Sequence, residues 1–143
     1  MHIVCPSCHA INAIPDDKSH LEGQCGKCQH ALHTFTPVEL TDSTFFRFIE
    51  KNDMPVLVDF WASWCGPCQV MAPVFANLGA QTESILFAKV NTEVAQNVSA
   101  QAGIRSIPTL ILFAGGQEVN RVSGALSEAQ LKSWLVQTIQ QHF

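Results

Sequence analysis

The longest apolar stretches of the chain, near Val56–Trp61 and Leu110–Ala114, are strand-length, and amphipathic segments at helical spacing separate them. Val56-Leu57-Val58-Asp59-Phe60-Trp61 follows Pro55 and is rich in β-branched and aromatic side chains, which predicts a buried strand. Ile85–Val90 predicts a second. Thr109–Ala114 and Glu118–Ser123 flank Gly115-Gly116-Gln117 and predict a hairpin. Thr41-Asp42-Ser43-Thr44 offers a cap for a helix that turns Phe45, Phe48 and Ile49 inward. After Cys68, the positions Val70, Met71, Val74, Phe75 and Leu78 mark the inner face of a longer helix, with a kink expected at Pro73. Glu93–Gln101 predicts a short helix with Val94 and Val98 inward. Ser127-Glu128-Ala129-Gln130 is a capping box opening a last helix with Leu131, Trp134, Leu135 and Ile139 on one face. The order is helix, strand, helix, strand, helix, strand, strand, helix. Alternation implies parallel crossovers and the hairpin adds an antiparallel pair, so the class is α/β with a central mixed sheet.

The first third of the chain is organised by cysteine. Six cysteines form three Cys-x-x-Cys pairs, Cys5/Cys8, Cys25/Cys28 and Cys65/Cys68, and the first two are separated by sixteen residues. That spacing is the zinc-ribbon spacing. Two residues between thiols form a tight turn that aims both sulfurs at one point, and two such turns supply a tetrahedron. Pro6 and Gly26 suit these turns. Cys5, Cys8, Cys25 and Cys28 are therefore candidate ligands of one structural zinc ion. Iron takes the same four thiolates, and two disulfides or idle thiols are the plainer alternatives. Four thiolates close the site, so catalysis by the metal is not expected; its binding would fold a module too small to bury a core of its own. Five of the six histidines, His2, His9, His20, His30 and His33, lie in this part and read as a solvated surface rather than as ligands. The expected division is a metal module over 1–33, a linker over 34–37 and the α/β domain over 38–143.

Charge and composition exclude some roles. The formal charge is −4 with only eight Lys and Arg, scattered, which argues against nucleic acid. An apolar fraction of 47% supports a real core. No apolar run is long enough to span a bilayer. Met1-His2-Ile3-Val4-Cys5-Pro6 does not read as an export signal, so the cytoplasm and a monomer are expected. In that compartment paired cysteines are more often metal ligands or redox catalysts than structural disulfides.

Cys65-Gly66-Pro67-Cys68 joins a buried strand to a helix. At the helix start, free N–H groups and the macrodipole favour a thiolate, so the Cys65 pKa should fall from about 8.5 towards 7. Cys68, one turn inside, should be more buried and less ionised. Cys65 then attacks a disulfide, and Cys68 resolves the mixed disulfide, leaving Cys65–Cys68 as the redox-active disulfide. Gly66-Pro67 keeps the turn stiff and the sulfurs close.

Phe60-Trp61-Ala62-Ser63-Trp64-Cys65-Gly66-Pro67-Cys68 resembles the active-site stretch of the thioredoxin family over roughly residues 38 to 143, and with the N-terminal cysteines the chain resembles its zinc-containing thioredoxin 2 subfamily. The resemblance implies the thioredoxin fold with a zinc-ribbon-like module. It places Asp59 behind the resolving cysteine, Lys89 near that aspartate, Ile107-Pro108-Thr109 as the cis-proline loop and Gly124 in the substrate groove. Asp59 is costly to bury charged, so a raised pKa would let it relay a proton with Cys68; capping of local backbone is the alternative. Lys89 either pairs with Asp59 or snorkels to the surface. Ile107 and Pro108 would offer backbone to an extended client segment, with Trp64, Gly66, Pro67 and Gly124 around it. Trp64 reads as an exposed apolar contact or as core, and Trp61 as packing support. Ser106 stands where glycine is frequent and Asn91 where aspartate is often found.

The resemblance implies a protein-disulfide reductase, reduced in turn by an NADPH-dependent thioredoxin reductase and acting on disulfide-containing clients. A disulfide oxidant or isomerase would normally need an oxidising compartment. A redox-switched zinc-dependent holdase is the reading outside enzymology, since clustered thiolates release metal when oxidised.

Overall fold

The computed structural model describes residues 1–143. Eleven elements follow one another as β1 (His2–Val4), β2 (Ile11–Ala13), β3 (Val38–Leu40), α1 (Phe45–Lys51), β4 (Val56–Trp61), α2 (Gly66–Gln81), β5 (Leu86–Asn91), α3 (Gln96–Gln101), β6 (Thr109–Ala114), β7 (Gln117–Ser123) and α4 (Glu128–His142). The large sheet has the order β3-β5-β4-β6-β7. The first three strands of that order run parallel, β6 is antiparallel to β4, and β7 is antiparallel to β6. This is the thioredoxin fold expected from the sequence, with one strand more: the edge strand β3. Its three residues are too short to show a period.

Alternation along β4 sorts the two faces of the sheet. Val56, Val58 and Phe60 point towards α1 and α3 and pack with Leu40, Phe48, Val98 and Ile111. Leu57 points the other way, into α2 and α4, and packs with Met71, Phe75, Leu110 and Leu131. Complete burial of side chains such as Phe60 and Phe75 stabilises the fold by about 1.5–3 kcal/mol each. Asp59 shares the Leu57 face, and so lies on the side from which α2 begins.

Two helical faces differ from the sequence reading. Val70 and Val94, expected inward, are 67% and 66% exposed. Val70 falls off the buried stripe of α2, which runs through Cys68, Met71, Phe75 and Leu78, and Val94 precedes α3, which starts at Gln96 rather than at Glu93. The capping segment before α1 also works differently. Thr44 is the N-cap but makes no side-chain cap bond; its hydroxyl accepts from the Thr41 N–H instead (2.9 Å). Asp42 reaches across to α3, whose own N-cap is Ala95, and accepts the Val98 N–H at 2.9 Å. The capping box of Ser127 and Gln130 is present at α4.

The cysteine-rich part forms a small β1–β2 hairpin and two cysteine turns. Its apolar residues Ile3, Val4, Ile14 and Leu32 belong to the same core as Phe48 and Ile49 of α1. Polar contacts seal this junction. The Val4 N–H donates to Asn52 Oδ1 (2.8 Å), and Asn52 Nδ2 donates to the Phe48 carbonyl (2.8 Å), with Asn52 only 1% exposed. The Asp53 N–H donates to the His2 carbonyl (3.0 Å), and Arg47 Nε to the His9 carbonyl (2.7 Å). His33 is buried nearby, edge-on to His20 and Phe35, and its Nδ1 has no partner. Burial first, then the neighbouring His20, hold the His33 pKa below its ordinary value, with Glu83 opposing.

Candidate functional site

The loop between β4 and α2 is fastened on both sides. The Trp61 carbonyl accepts from both the N–H (2.8 Å) and the hydroxyl (3.0 Å) of Thr92. Glu93 Oε1 accepts from the Ser63 N–H (2.9 Å) and hydroxyl (2.7 Å), and Gln69 Nε2 donates to the Ser63 carbonyl (2.9 Å). These donors hold the Glu93 carboxylate below its ordinary pKa. Sequence reasoning missed Ser63, Gln69 and Glu93; an acidic residue just past a strand end was the only signal available.

Cys65 is the N-cap of α2 and is joined to Cys68 by a disulfide with a Cα–Cα distance of 5.2 Å. The two residues are equally buried, at 4% and 3% exposed, so burial does not set them apart as the sequence reading expected. Position on the helix does. The Cys68 N–H points at Cys65 Sγ over 3.2 Å, a helix-start donor aimed at the sulfur that would carry charge. The Ile107 carbonyl oxygen lies 3.8 Å from the same sulfur. The Ile107–Pro108 peptide is cis, and the Gly124 N–H donates to the Pro108 carbonyl (2.8 Å) with Gly124 at φ +96°. No atom crowds the space a Gly124 side chain would enter, so the backbone conformation is what favours glycine there. Gly66 and Pro67 lie exposed on the first turn of α2. Trp64 is 72% exposed beside the disulfide, whereas Trp61 packs against it.

Asp59 is 1% exposed and neither carboxylate oxygen has a hydrogen-bond partner. Burial pushes its pKa up to about 7; Lys89 opposes the shift and Glu39 adds to it. Register places Glu39, Lys89 and Asp59 side by side on β3, β5 and β4. The Lys89 ammonium sits over the Trp61 ring, 4.6 Å from its centroid, a cation–π position rather than an ion pair. Glu39 escaped the sequence reading because β3 did.

Cys5, Cys8, Cys25 and Cys28 bring their sulfurs within 4.8 Å of one another. Cys5–Cys28 and Cys8–Cys25 are each 3.6 Å apart. A tetrahedral zinc site with bonds of about 2.3 Å has edges of about 3.8 Å, so the cluster fits that ion. The two turns repeat one design. The His9 and Gln29 N–H groups return to the Cys5 and Cys25 carbonyls, and both residues adopt positive φ, at 66° and 64°. Ser7 and Cys8 N–H groups face Cys5 Sγ, and the Lys27 N–H and Asn12 Nδ2 face Cys25 Sγ. Backbone N–H donation from Cys28 and then the Asn12 amide bring the Cys25 thiol down to about 6. Cys8 rises to about 11 despite a backbone N–H at Ala10, because burial and the three neighbouring sulfurs favour its neutral form. The cluster contains no histidine: His30 Nδ1 instead lies 2.7 Å from the Ala31 carbonyl.

Comparison with known proteins agrees with this geometry. The family described as thioredoxin matches residues 36–137, and the zinc-ribbon family described as thioredoxin 2, N-terminal matches residues 4–30. Thioredoxin C-3 of Corynebacterium nephridii is 47% identical over 141 residues, covering 99% of this chain and 97% of that protein. Thioredoxin 1 of Nostoc sp. (strain PCC 7120) is 50% identical over 105 residues, 73% of this chain and 94% of its own. Thioredoxin of Porphyra purpurea is 45% identical over 98 residues, 68% and 92% of the two chains. The chain belongs to the thioredoxin family, as a thiol–disulfide oxidoreductase that carries an N-terminal four-cysteine zinc-ribbon module.

Proposed function

We propose that the chain is a protein-disulfide reductase in which Cys65 attacks and Cys68 resolves. The Cys65 thiolate forms a bond to one sulfur of a client disulfide, and the client's other sulfur leaves as a thiolate. Cys68 then loses its proton, for which the neutral-range carboxyl of Asp59 on the same face of the sheet is the acceptor. Its thiolate attacks Cys65, expelling the client's second sulfur. Two electrons pass to the client, and the chain is left with the Cys65–Cys68 disulfide. Trp64, Gly66, Pro67, Ile107, Pro108 and Gly124 bind the client segment, with the Ile107 backbone as its hydrogen-bonding edge. Lys89 positions the relay by moderating Asp59.

In this reading a thioredoxin reductase restores the dithiol at the expense of NADPH, and the chain works as a cytoplasmic monomer. Cys5, Cys8, Cys25 and Cys28 hold one structural zinc ion, which when bound supplies folding free energy to the ribbon. The 1–33 module and the 38–143 domain then act as one body through their shared core.

The observation that carries the reading is the Cys68 N–H at the start of α2, which donates to Cys65 Sγ over 3.2 Å. Cys65→Ser should abolish reduction of protein disulfides, and Cys68→Ser should accumulate the mixed disulfide. Turnover retained by Cys65→Ser would sink the assignment. Equilibration with glutathione should give a potential near about −270 mV; a value near about −180 mV would favour an oxidant instead.

A redox-switched holdase has one observation in its favour: Cys28 is exposed, so an oxidant can reach the metal cluster whose loss would uncover Ile3, Val4 and Leu32. Peroxide treatment that releases zinc without producing client binding would remove this alternative.

A further inference from the structure

A cavity of about 360 Å³ opens beside the disulfide, between the loop that carries Trp64, the start of α3 and the Arg105-Ser106-Ile107 segment. Ile107 is shared between them: it lines the cavity and packs against Cys65 and Cys68. A side chain next to a client cysteine attacked by Cys65 would enter this space.

The polar groups lining it divide by commitment. The Thr92 hydroxyl is spent on the Trp61 carbonyl, the Ser99 hydroxyl on the Ala95 carbonyl, and the Gln96 amide on the Glu93 carbonyl. The Arg105 guanidinium and the Ser106 hydroxyl are exposed and make no hydrogen bond or ion pair within the chain. The backbone N–H groups of Arg105 and Ser106 also lack acceptors. What remains uncommitted is mostly donors, led by a delocalised cation with a fork of N–H groups, with the Ser106 hydroxyl able to donate or accept. No carboxylate lines the cavity, and Glu93, at the turn before α3, is held to Ser63. In a chain of net charge −4, this is a local cationic spot next to the reacting sulfur.

We infer that this cavity is a specificity subsite for an acidic residue flanking the client's disulfide, with Arg105 as the residue that determines the preference and Ser106 as a second donor. The inference rests on the reading of Cys65 as the attacking sulfur. A glutamate or aspartate carboxylate accepts from the guanidinium while its methylene groups lie against Ile107 and the Trp64 ring. A lysine in the same place meets the like charge of Arg105.

The test is a set of disulfide-linked peptides identical except for Glu, Gln or Lys at each of the two positions on either side of the cysteine. Second-order rates are measured in single turnover with the chain reduced beforehand, so no reductase is needed. At one or more positions the wild-type chain should react with the Glu peptide about threefold to tenfold faster than with the Lys peptide, and the advantage should shrink with added salt. Arg105→Gln should level the series, and Arg105→Glu should reverse the order of the Glu and Lys peptides, each rate taken relative to the same variant's rate with the Gln peptide. Equal rates at all four positions, or an Arg105→Glu variant that keeps the wild-type order, would overturn the inference. Full reactivity of Cys65→Ser with the Gln peptide would instead remove the reading beneath it.

Discussion

Asp59 and Lys89 face each other in register on adjacent strands, yet the lysine lies over the Trp61 ring and leaves the carboxyl without a hydrogen-bonded partner. Burial is thus only partly offset, and the group titrates near neutrality.

The consequence for stability has a definite sign. The folded pKa of about 7 lies above the ordinary 3.8, so the folded chain binds more protons between those values. Stability should fall as pH rises through that window, by as much as about 4 kcal/mol in total. Asp59→Asn should lose this slope, read by urea denaturation of the oxidised protein from pH 4 to 8. It should also slow the resolving step by about a hundredfold near pH 7. Lys89→Met should move the Asp59 titration upward, since the ammonium is what holds it down; carboxyl NMR against pH checks the direction.

His33 acts in the opposite sense at the ribbon junction. Its folded pKa lies below the ordinary 6.5, so the unfolded chain binds the extra proton. Stability from this group is complete above about pH 6.5 and is lost as pH falls through that region. Because the two groups oppose each other over the same range, His33→Phe should unmask the Asp59 effect, read as a steeper fall of the urea midpoint with rising pH just below about pH 6.5.

Asn52 joins the ribbon to α1 with two buried bonds. Asn52→Ala strands the Val4 N–H and the Phe48 carbonyl, and should cost about 2–4 kcal/mol in urea denaturation. Asn52→Asp should not rescue it, because a carboxylate accepts from Val4 but cannot donate to Phe48.

Cys5→Ser with Cys8→Ser should abolish stoichiometric zinc, measured by metal analysis. Because the ribbon shares its core with α1, the melting temperature of the whole chain should drop, whereas exchange at Cys65 should persist.

Much of this was legible in the sequence because the relevant signals are local. The four-cysteine spacing, the Val56–Trp61 strand, the hairpin after Thr109 and the Ser127 capping box each depend on residues a few positions apart. What escaped was set by distant partners. Asp42 was read as a cap for the nearest helix and serves α3, because a carboxylate caps whichever helix start the fold delivers to it. Hydrophobicity alone turns Val70 and Val94 inward; helical phase takes Val70 off the buried stripe of α2, and Val94 lies in the turn before α3. One turn of helix predicts a difference in burial between Cys65 and Cys68, but Trp61 and Ile107 pack against both and leave them equally buried. Glu39 and Glu93 act on the site only through register and loop contact, which no spacing rule records.

The fastening of the Ser63 loop bears on which proteins the chain can serve. With Trp61, Ser63 and Gln69 already tied, this loop has little disorder left to lose, and on the proposed function a client meets it already ordered. The entropic cost of association therefore falls on the client, which must present its cystine on an extended strand. Disulfides in segments that fray or open locally meet that demand at small cost, and those locked in a rigid core do not. On the proposed function, client choice is then kinetic selection for local unfolding at the client's cystine.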